Sequence, residues 1–184
     1  YKTMPIGPRT GETKTPEYTR LNPRQKVPLL QDGDFCIGES AAIVAYLSRM
    51  YSTPERALIP EPQREYAAWL EWCFFIVTEL DSTSLYVMRR HRADALGPIY
   101  GIAPEVVAQA AEYFRAQLRH VEVALADGRQ FLMGEKFTSA DILQLLAGFA
   151  TLDRSTVPAE HFGRVEHALS QLLQAQAVLE DATA

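Results

Sequence analysis

Three side chains in the first quarter of the sequence could do chemistry together: Lys26, Glu39 and Ser40. A helix that starts at Ser40 offers unpaired backbone N–H groups and a partial positive charge. With the Ser40 hydroxyl beside them, these groups make a seat for a carboxylate. Glu39 adds a negative charge at the same spot, where an ammonium would be welcome. The pair therefore suits the zwitterionic head of an amino acid. Lys26 opens the neighbouring strand and can meet a second anionic group. If the Val27–Pro28 peptide is cis, Val27 presents its N–H and C=O outward, where an extended peptide can pair as an added strand. Cis bonds occupy only about 5–6% of X–Pro peptides. A plainer reading stands beside this one: Ser40 as a helix cap, Glu39 as compensation of the helix dipole, and Lys26 as a solvated strand-end charge. Local physics leaves both open.

Other chemistry is poorly supported. Cys36 and Cys73 form no CxxC or Cys/His cluster, so neither zinc nor any other metal is expected, and both read as buried free thiols. Cys36 falls inside a predicted strand and reads as core rather than nucleophile. The 184 residues carry 18 Lys+Arg against 23 Asp+Glu, a net charge of -5, which argues against a nucleic-acid binder. Charged residues interrupt every apolar stretch before the roughly 18 residues a membrane span needs, so no membrane partner is expected. Hydrophobic residues at 47% and charged residues at 22% are the balance of a globular protein. Residues 1–51 hold a small excess of basic groups and the remainder an excess of acidic ones, which fits two domains, the first better suited to an anionic ligand.

The elements that must position these residues can be read along the chain. Tyr1 to Ile6 is a short candidate strand, halted by Pro5 and Pro8, and a loop follows over 7–16. Pro16 to Leu21 makes a brief helix that Asn22-Pro23 ends. Asp32-Gly33 between the apolar runs Val27–Gln31 and Asp34–Ile37 predicts a hairpin. The segment 39–51 is helical, with Ala42, Ile43, Tyr46, Leu47 and Met50 recurring at steps of three and four. Pro54, Pro60 and Pro62 mark 52–62 as a linker, and the domain boundary is placed there. From 63 onward the pattern is all-helical. An apolar helix spans 63–94, and Gly97-Pro98 and Gly101 break it. A helix from Pro104 shows Val107, Ala110, Phe114, Leu118, Val121 and Leu125 on one stripe, and Gly128 ends it. Thr138 and Asp141 stand three apart before an apolar run, the spacing of a capping box. A buried central helix with Ile142, Leu143 and Leu152 follows, and 159–179 add one or two closing helices. Trp69, Trp72, Phe74 and Phe75 read as core or subunit contact.

The stretch NPRQKVPLLQDGDF…GESAAIVAYL closely resembles the glutathione-binding half of the cytosolic glutathione transferases, and FLMGEKFTSADI resembles that family's second helix-start motif. Both motifs stand in the right order, and the resemblance covers essentially the whole chain. It implies an α+β two-domain fold: a truncated thioredoxin-like N-terminal domain over 1–51, the linker 52–62, and an all-α C-terminal bundle over 63–184. It implies glutathione as co-substrate, with Val27 exchanging backbone hydrogen bonds with the cysteinyl part and Pro28 cis. Glu39 and Ser40 would hold the γ-glutamyl ammonium and carboxylate, and Lys26 the glycyl carboxylate. Thr138 and Asp141 would be structural. Thr13 stands where many relatives have His, which implies a weaker hold on the glycyl end. The Tyr, Ser or Cys that addresses the sulfur belongs to a strand and helix that in the family precede the region where this chain starts. The catalytic residue is therefore unnamed, and further residues are expected ahead of Tyr1. The implied activity is conjugation of the glutathione thiolate to small hydrophobic electrophiles. Tyr86, Arg89 and Arg90 are the candidates for the electrophile's pocket. Glutathione-dependent disulfide or peroxide reduction, dehalogenation, isomerisation, or a non-catalytic interaction role on the same fold are the alternatives. A homodimer and a cytoplasmic location complete what the resemblance implies.

Overall fold

In the computed structural model, residues 1–149 are described. The closing helices expected over 159–179, and the burial expected of the last apolar run beyond Gln144, fall outside the described residues.

Tyr1–Ile6 is not a strand. No described strand lies beside it, and a strand without a partner leaves its backbone groups unpaired. The first helix, α1 (Pro16–Leu21), starts where expected. Thr15 caps it, its Oγ1 accepting from the Tyr18 N–H at 3.2 Å, and Pro16 fills the first turn. A hairpin follows, β1 (Leu29–Asp32) antiparallel to β2 (Phe35–Gly38), with Asp32 opposite Phe35 and Leu29 opposite Gly38. That register puts Gly33-Asp34 in the two-residue loop, one residue beyond the Asp32-Gly33 pair read from sequence. Gly33 supplies the positive φ of 61° that a tight hairpin turn asks of its first residue. Asp32 ends β1 and accepts from the hydroxyls of Tyr46 at 2.9 Å and Tyr51 at 3.2 Å, tying the hairpin to α2 (Ser40–Tyr51).

Helix α2 has two working faces. Tyr46 lies against Phe35 of the hairpin, ring centroids 5.2 Å apart. Ala41, Val44 and Ala45 pack on the helical core instead, and Ser48 is buried. The stripe expected from Ala42, Ile43, Tyr46, Leu47 and Met50 is therefore only part of the contact surface, and Met50 is exposed. Small residues win the core-facing side because they let the helix approach closely.

Residues 52–62 are more than a tether. They contain a 3₁₀ turn over Pro54–Arg56, and Ile59 is buried in the helical core. The Leu58 carbonyl accepts from the Ser139 N–H at 2.8 Å and from its hydroxyl at 3.1 Å, locking this segment to α7 (Ser139–Phe149).

The expected single helix over 63–94 is three joined segments: α3 (Gln63–Phe75), a π-helical stretch (Ile76–Leu85) and α4 (Tyr86–His91). The wider π turns are supported by hydroxyls that cap extra carbonyl lone pairs. Ser84 Oγ donates to Leu80 O at 2.7 Å and Glu79 O at 2.9 Å, and Thr83 Oγ1 donates to Thr78 O at 2.5 Å. A short helix α5 (Gly97–Tyr100) and the long α6 (Pro104–Leu125) complete the bundle. Ala110, Phe114, Leu118 and Val121 of α6 are buried on the predicted stripe, against Trp69, Cys73, Ile76, Leu80, Leu85 and Met88. Trp72 and Phe75 pack at the edge of this core, and Phe74 is exposed. The fold is thus a small two-stranded unit with its helices, leading into a helical bundle. No described helix is long and apolar enough to cross a membrane.

Candidate functional site

The open end of the hairpin gathers the residues singled out in the sequence. Because Leu29 pairs with Gly38, the Val27–Pro28 peptide and Glu39 lie beside each other just past the paired region. A Cβ built on Gly38 would stand 3.7 Å from the Pro28 carbonyl oxygen and 3.9 Å from Asn22 Nδ2, so the loop before β1 touches the end of β2. The Val27–Pro28 bond is cis. Val27 is 42% exposed, and its N–H and C=O have no hydrogen-bond partner among the described residues.

Two buried side chains, Tyr18 and Asn22, hold this loop in place. The Lys26 carbonyl accepts from the Tyr18 hydroxyl at 2.6 Å and from Asn22 Nδ2 at 2.8 Å. Asn22 Oδ1 takes the Arg24 N–H at 3.1 Å, and Asn22 O takes the Gln25 N–H at 2.9 Å. With its carbonyl tied inward, Lys26 is exposed, and its ammonium has no ion-pair partner among the described residues.

Glu39 and Ser40 occupy the start of α2. Glu39 is at the N-cap position with φ 69° and ψ 122°, and Ser40 is the first helical residue rather than the cap. Among the described residues no side chain caps this helix start, so its first N–H groups remain open to a ligand. Glu39 and Gln25 are the two non-glycine residues with positive φ among the described residues, and both border this loop. A non-glycine residue held there costs about 1–3 kcal/mol and persists where surrounding structure imposes it, commonly at ligand clamps. The Gln25 amide donates to Thr19 Oγ1 at 3.1 Å, which helps to impose it at that position.

The structure therefore brings Lys26, Val27, Pro28, Glu39 and Ser40 to one exposed end of the hairpin. It also brings a residue that sequence reasoning passed over. Arg24 Nη2 pairs with Glu39 Oε1, and both side chains are more than half exposed. In the sequence Asn22 reads only as a helix stop. An Asn that both ends a helix and precedes Pro-Arg was the available signal, because Asn side chains bond the backbone two residues on.

Other expectations fall elsewhere. Thr13 is 2% exposed in the turn over Glu12–Lys14, so it packs rather than presents its hydroxyl to a ligand. Tyr86, Arg89 and Arg90 lie on α4. The Arg89 guanidinium sits 5.4 Å from the Tyr86 ring centroid and that of Arg90 4.5 Å from the Tyr100 ring. A cleft of about 440 Å³ opens between α2, the linker and α3, lined by Ala45, Arg49, Ile59, Pro60, Glu61, Gln63, Tyr66 and Trp69. It includes none of the predicted site residues. No group of three or more His, Cys, Asp or Glu placed to hold a metal occurs among the described residues. Cys73 is buried, and burial, with Asp141 nearby, pushes its thiol up to about 12. Cys36, in β2, is half-buried and unpaired.

The second motif holds, with one change of role. Asp141 reaches back as a capping box requires, its Oδ2 accepting the Thr138 N–H at 2.8 Å. The Thr138 hydroxyl does not accept from the helix. It donates to the same Oδ2 at 3.0 Å, while Oδ1 takes the Leu132 N–H at 2.9 Å. One carboxylate thus serves three donors. Burial pushes the Asp141 carboxyl up from its ordinary range, and these bonds offset part of that rise.

Comparisons agree with this layout. A family model described as the glutathione S-transferase N-terminal domain matches residues 1–49. Glutathione S-transferase 1 of Schizosaccharomyces pombe is 30% identical over 155 residues, 77% of this chain and 61% of that protein. Elongation factor 1-gamma 1 of rice is 33% identical over 159 residues, 83% of this chain and 35% of that protein. The chain thus spans less than two thirds of the length of each of these relatives. Among solved structures, glutathione S-transferase I from maize, in complex with an atrazine glutathione conjugate, superposes with a TM-score of 0.74 at 25% identity, covering 100% of this chain and 84% of that one. With its two motifs in order, a hairpin and helical bundle in the matching arrangement, and these likenesses, residues 1–49 match the glutathione S-transferase N-terminal domain and the chain as a whole is similar in sequence and fold to the cytosolic glutathione S-transferases.

Proposed function

We propose that the open end of the hairpin binds glutathione and that the protein conjugates the glutathione thiolate to small hydrophobic electrophiles. The observation that carries this reading is the exposed, unpartnered Val27 backbone beside the strained Glu39 and the uncapped start of α2. An extended tripeptide pairs its cysteinyl backbone with Val27 in the manner of an added strand. Its γ-glutamyl ammonium meets the Glu39 carboxylate, and its α-carboxylate meets the Ser40 hydroxyl and the helix N–H groups. Its glycyl carboxylate lies toward the Lys26 ammonium. Pro28 shapes the turn that exposes Val27. In this reading residues 1–51 form the ligand-binding domain, 52–62 the connection and 63–184 the helical domain.

A free thiol with pKa about 8.5 is mostly protonated at neutral pH, so conjugation requires a group that stabilises the thiolate. No residue of this chain is assigned that role. The residues named here hold and orient the tripeptide, and Tyr86, Arg89 and Arg90 are candidates for the wall facing the electrophile. The maize structure's glutathione conjugate supports binding of both partners on this fold. We also propose that two copies associate as a homodimer in the cytoplasm.

A second reading keeps the fold without the chemistry. The likeness to elongation factor 1-gamma 1 of rice favours it. Turnover of an aryl halide with glutathione separates the two. The enzyme reading expects turnover that saturates in glutathione and falls in Glu39→Gln and Ser40→Ala. Each loses a charge-assisted hydrogen bond, which weakens glutathione binding by about 1–3 kcal/mol. Glutathione binding without turnover of any electrophile would favour the interaction role.

A further inference from the structure

The ion pair between Arg24 and Glu39 gives the proposed site a charge that its sequence motif does not account for. We infer that Arg24 is a further ligand-binding residue, one that receives the α-carboxylate of the γ-glutamyl head while steadying Glu39 for the ammonium. The inference rests on the reading of this site as a γ-glutamyl peptide site.

The argument begins with placement. The buried Asn22 fixes the loop at two points, accepting the Arg24 N–H at 3.1 Å through Oδ1 and donating to the Lys26 carbonyl at 2.8 Å through Nδ2. The side chain that sets the backbone before Val27 therefore also sets Arg24. Arg24 is built into the same loop as the peptide edge and is not a stray surface charge. Its partner Glu39 is held by its own strained backbone at φ 69°. The two charges come from segments fifteen residues apart and meet across the end of the hairpin.

The remaining step is chemical. The γ-glutamyl head carries its ammonium and its carboxylate on one carbon, so a group that binds the first has the second within reach. Of the guanidinium's donors only Nη2 is engaged among the described residues, on Glu39 Oε1. Arginine presents five N–H donors in a planar fork suited to carboxylates, so the others remain for a second one. With the ligand in place the charges alternate around a closed array: guanidinium, Glu39 carboxylate, ligand ammonium, ligand carboxylate, and back to the guanidinium. The Ser40 hydroxyl and the helix start complete the carboxylate's shell. Between exposed partners alone such a pair is weak. A bound peptide shields it from water and strengthens each contact.

The test is calorimetric titration of the protein and of Arg24→Gln with two peptides: glutathione, and glutathione whose γ-glutamyl α-carboxylate is converted to the amide. For glutathione, Arg24→Gln weakens binding about tenfold, as for loss of one charge-assisted contact. For the amide, Arg24→Gln weakens binding by clearly less than it does for glutathione, because the carboxylate that Arg24 reads is gone and only the steadying of Glu39 is lost. Arg24→Lys recovers part of the loss through its charge without the fork. Equal weakening of both peptides by Arg24→Gln would overturn the inference, since Arg24 would then act only through Glu39. Unchanged glutathione affinity in Arg24→Gln would overturn it too, while leaving the glutathione site standing. A wild-type protein that binds neither peptide would remove the site itself.

Discussion

Asp141→Ala probes how the start of α7 is held to the turn before it. In the native fold one buried carboxylate satisfies the Leu132 N–H at 2.9 Å, the Thr138 N–H at 2.8 Å and the Thr138 hydroxyl at 3.0 Å. Leu132 and Thr138 are each 3% exposed, so water cannot replace the lost acceptor. The hydroxyl can turn to another partner, but the two backbone N–H groups cannot. At about 1–3 kcal/mol for each buried unsatisfied group, their loss costs about 2–6 kcal/mol. Removing a carboxyl whose burial is unfavourable returns part of this. A net loss near 3 kcal/mol follows, which at about 2–4 °C per kcal/mol lowers the melting temperature by about 6–12 °C. Asp141→Asn is little better, because its amide NH₂ must face one of the same N–H donors. Thermal unfolding by circular dichroism, with urea unfolding as a check, measures both. A melting temperature within 2 °C of wild type for Asp141→Ala would show that the two N–H groups find other partners, and the account of this helix start would be wrong.

Two further perturbations follow from the buried groups. In the folded protein at neutral pH a disulfide exchange reagent modifies Cys36 promptly, while Cys73, with its thiol pushed up to about 12, reacts only on unfolding. Two equally fast thiols would contradict this. Asp81, partly buried in the π-helical stretch, has its carboxyl raised by desolvation, against a smaller lowering by Arg89. A carboxyl raised on folding contributes stability that is complete below its unfolded pKa of about 3.9 and is lost as pH rises through the folded value. Asp81→Asn keeps the neutral form, so it is more stable than wild type at pH 7, with a gain that closes toward acid. A less stable variant at pH 7 would mean that Arg89 outweighs burial.

What the sequence disclosed follows from the range of each interaction. The stripe on α6 was legible because helical period alone decides which residues face the core, and Ala110, Phe114, Leu118 and Val121 are buried as it requires. The hairpin was legible from a turn dipeptide, though its loop is displaced by one residue because pairing extends through Asp32. The site residues came from a motif, and the cis Val27–Pro28 bond lies where that motif implies. Features set by distant partners were hidden. The π-helical stretch depends on Thr83 and Ser84 hydroxyls finding carbonyls four and five residues back, which apolar periodicity does not register. Arg24 meets Glu39 only once the hairpin closes. The Leu58 carbonyl waits for Ser139, eighty-one residues away. Tyr1–Ile6 has the composition of a strand, but strand formation depends on a neighbour as much as on propensity.

The central claim is that a tripeptide lies along Val27 with its γ-glutamyl end at Glu39 and Ser40. Titration of the isotopically labelled protein with glutathione, followed at backbone amides by NMR, tests it directly. Saturable shifts centred on Val27, Ser40 and Ala41, abolished for the γ-glutamyl end in Glu39→Gln, are the result this account predicts. Shifts confined to the cleft beside Tyr66 and Trp69, or none at millimolar glutathione (a binding free energy weaker than about -4 kcal/mol), would contradict it.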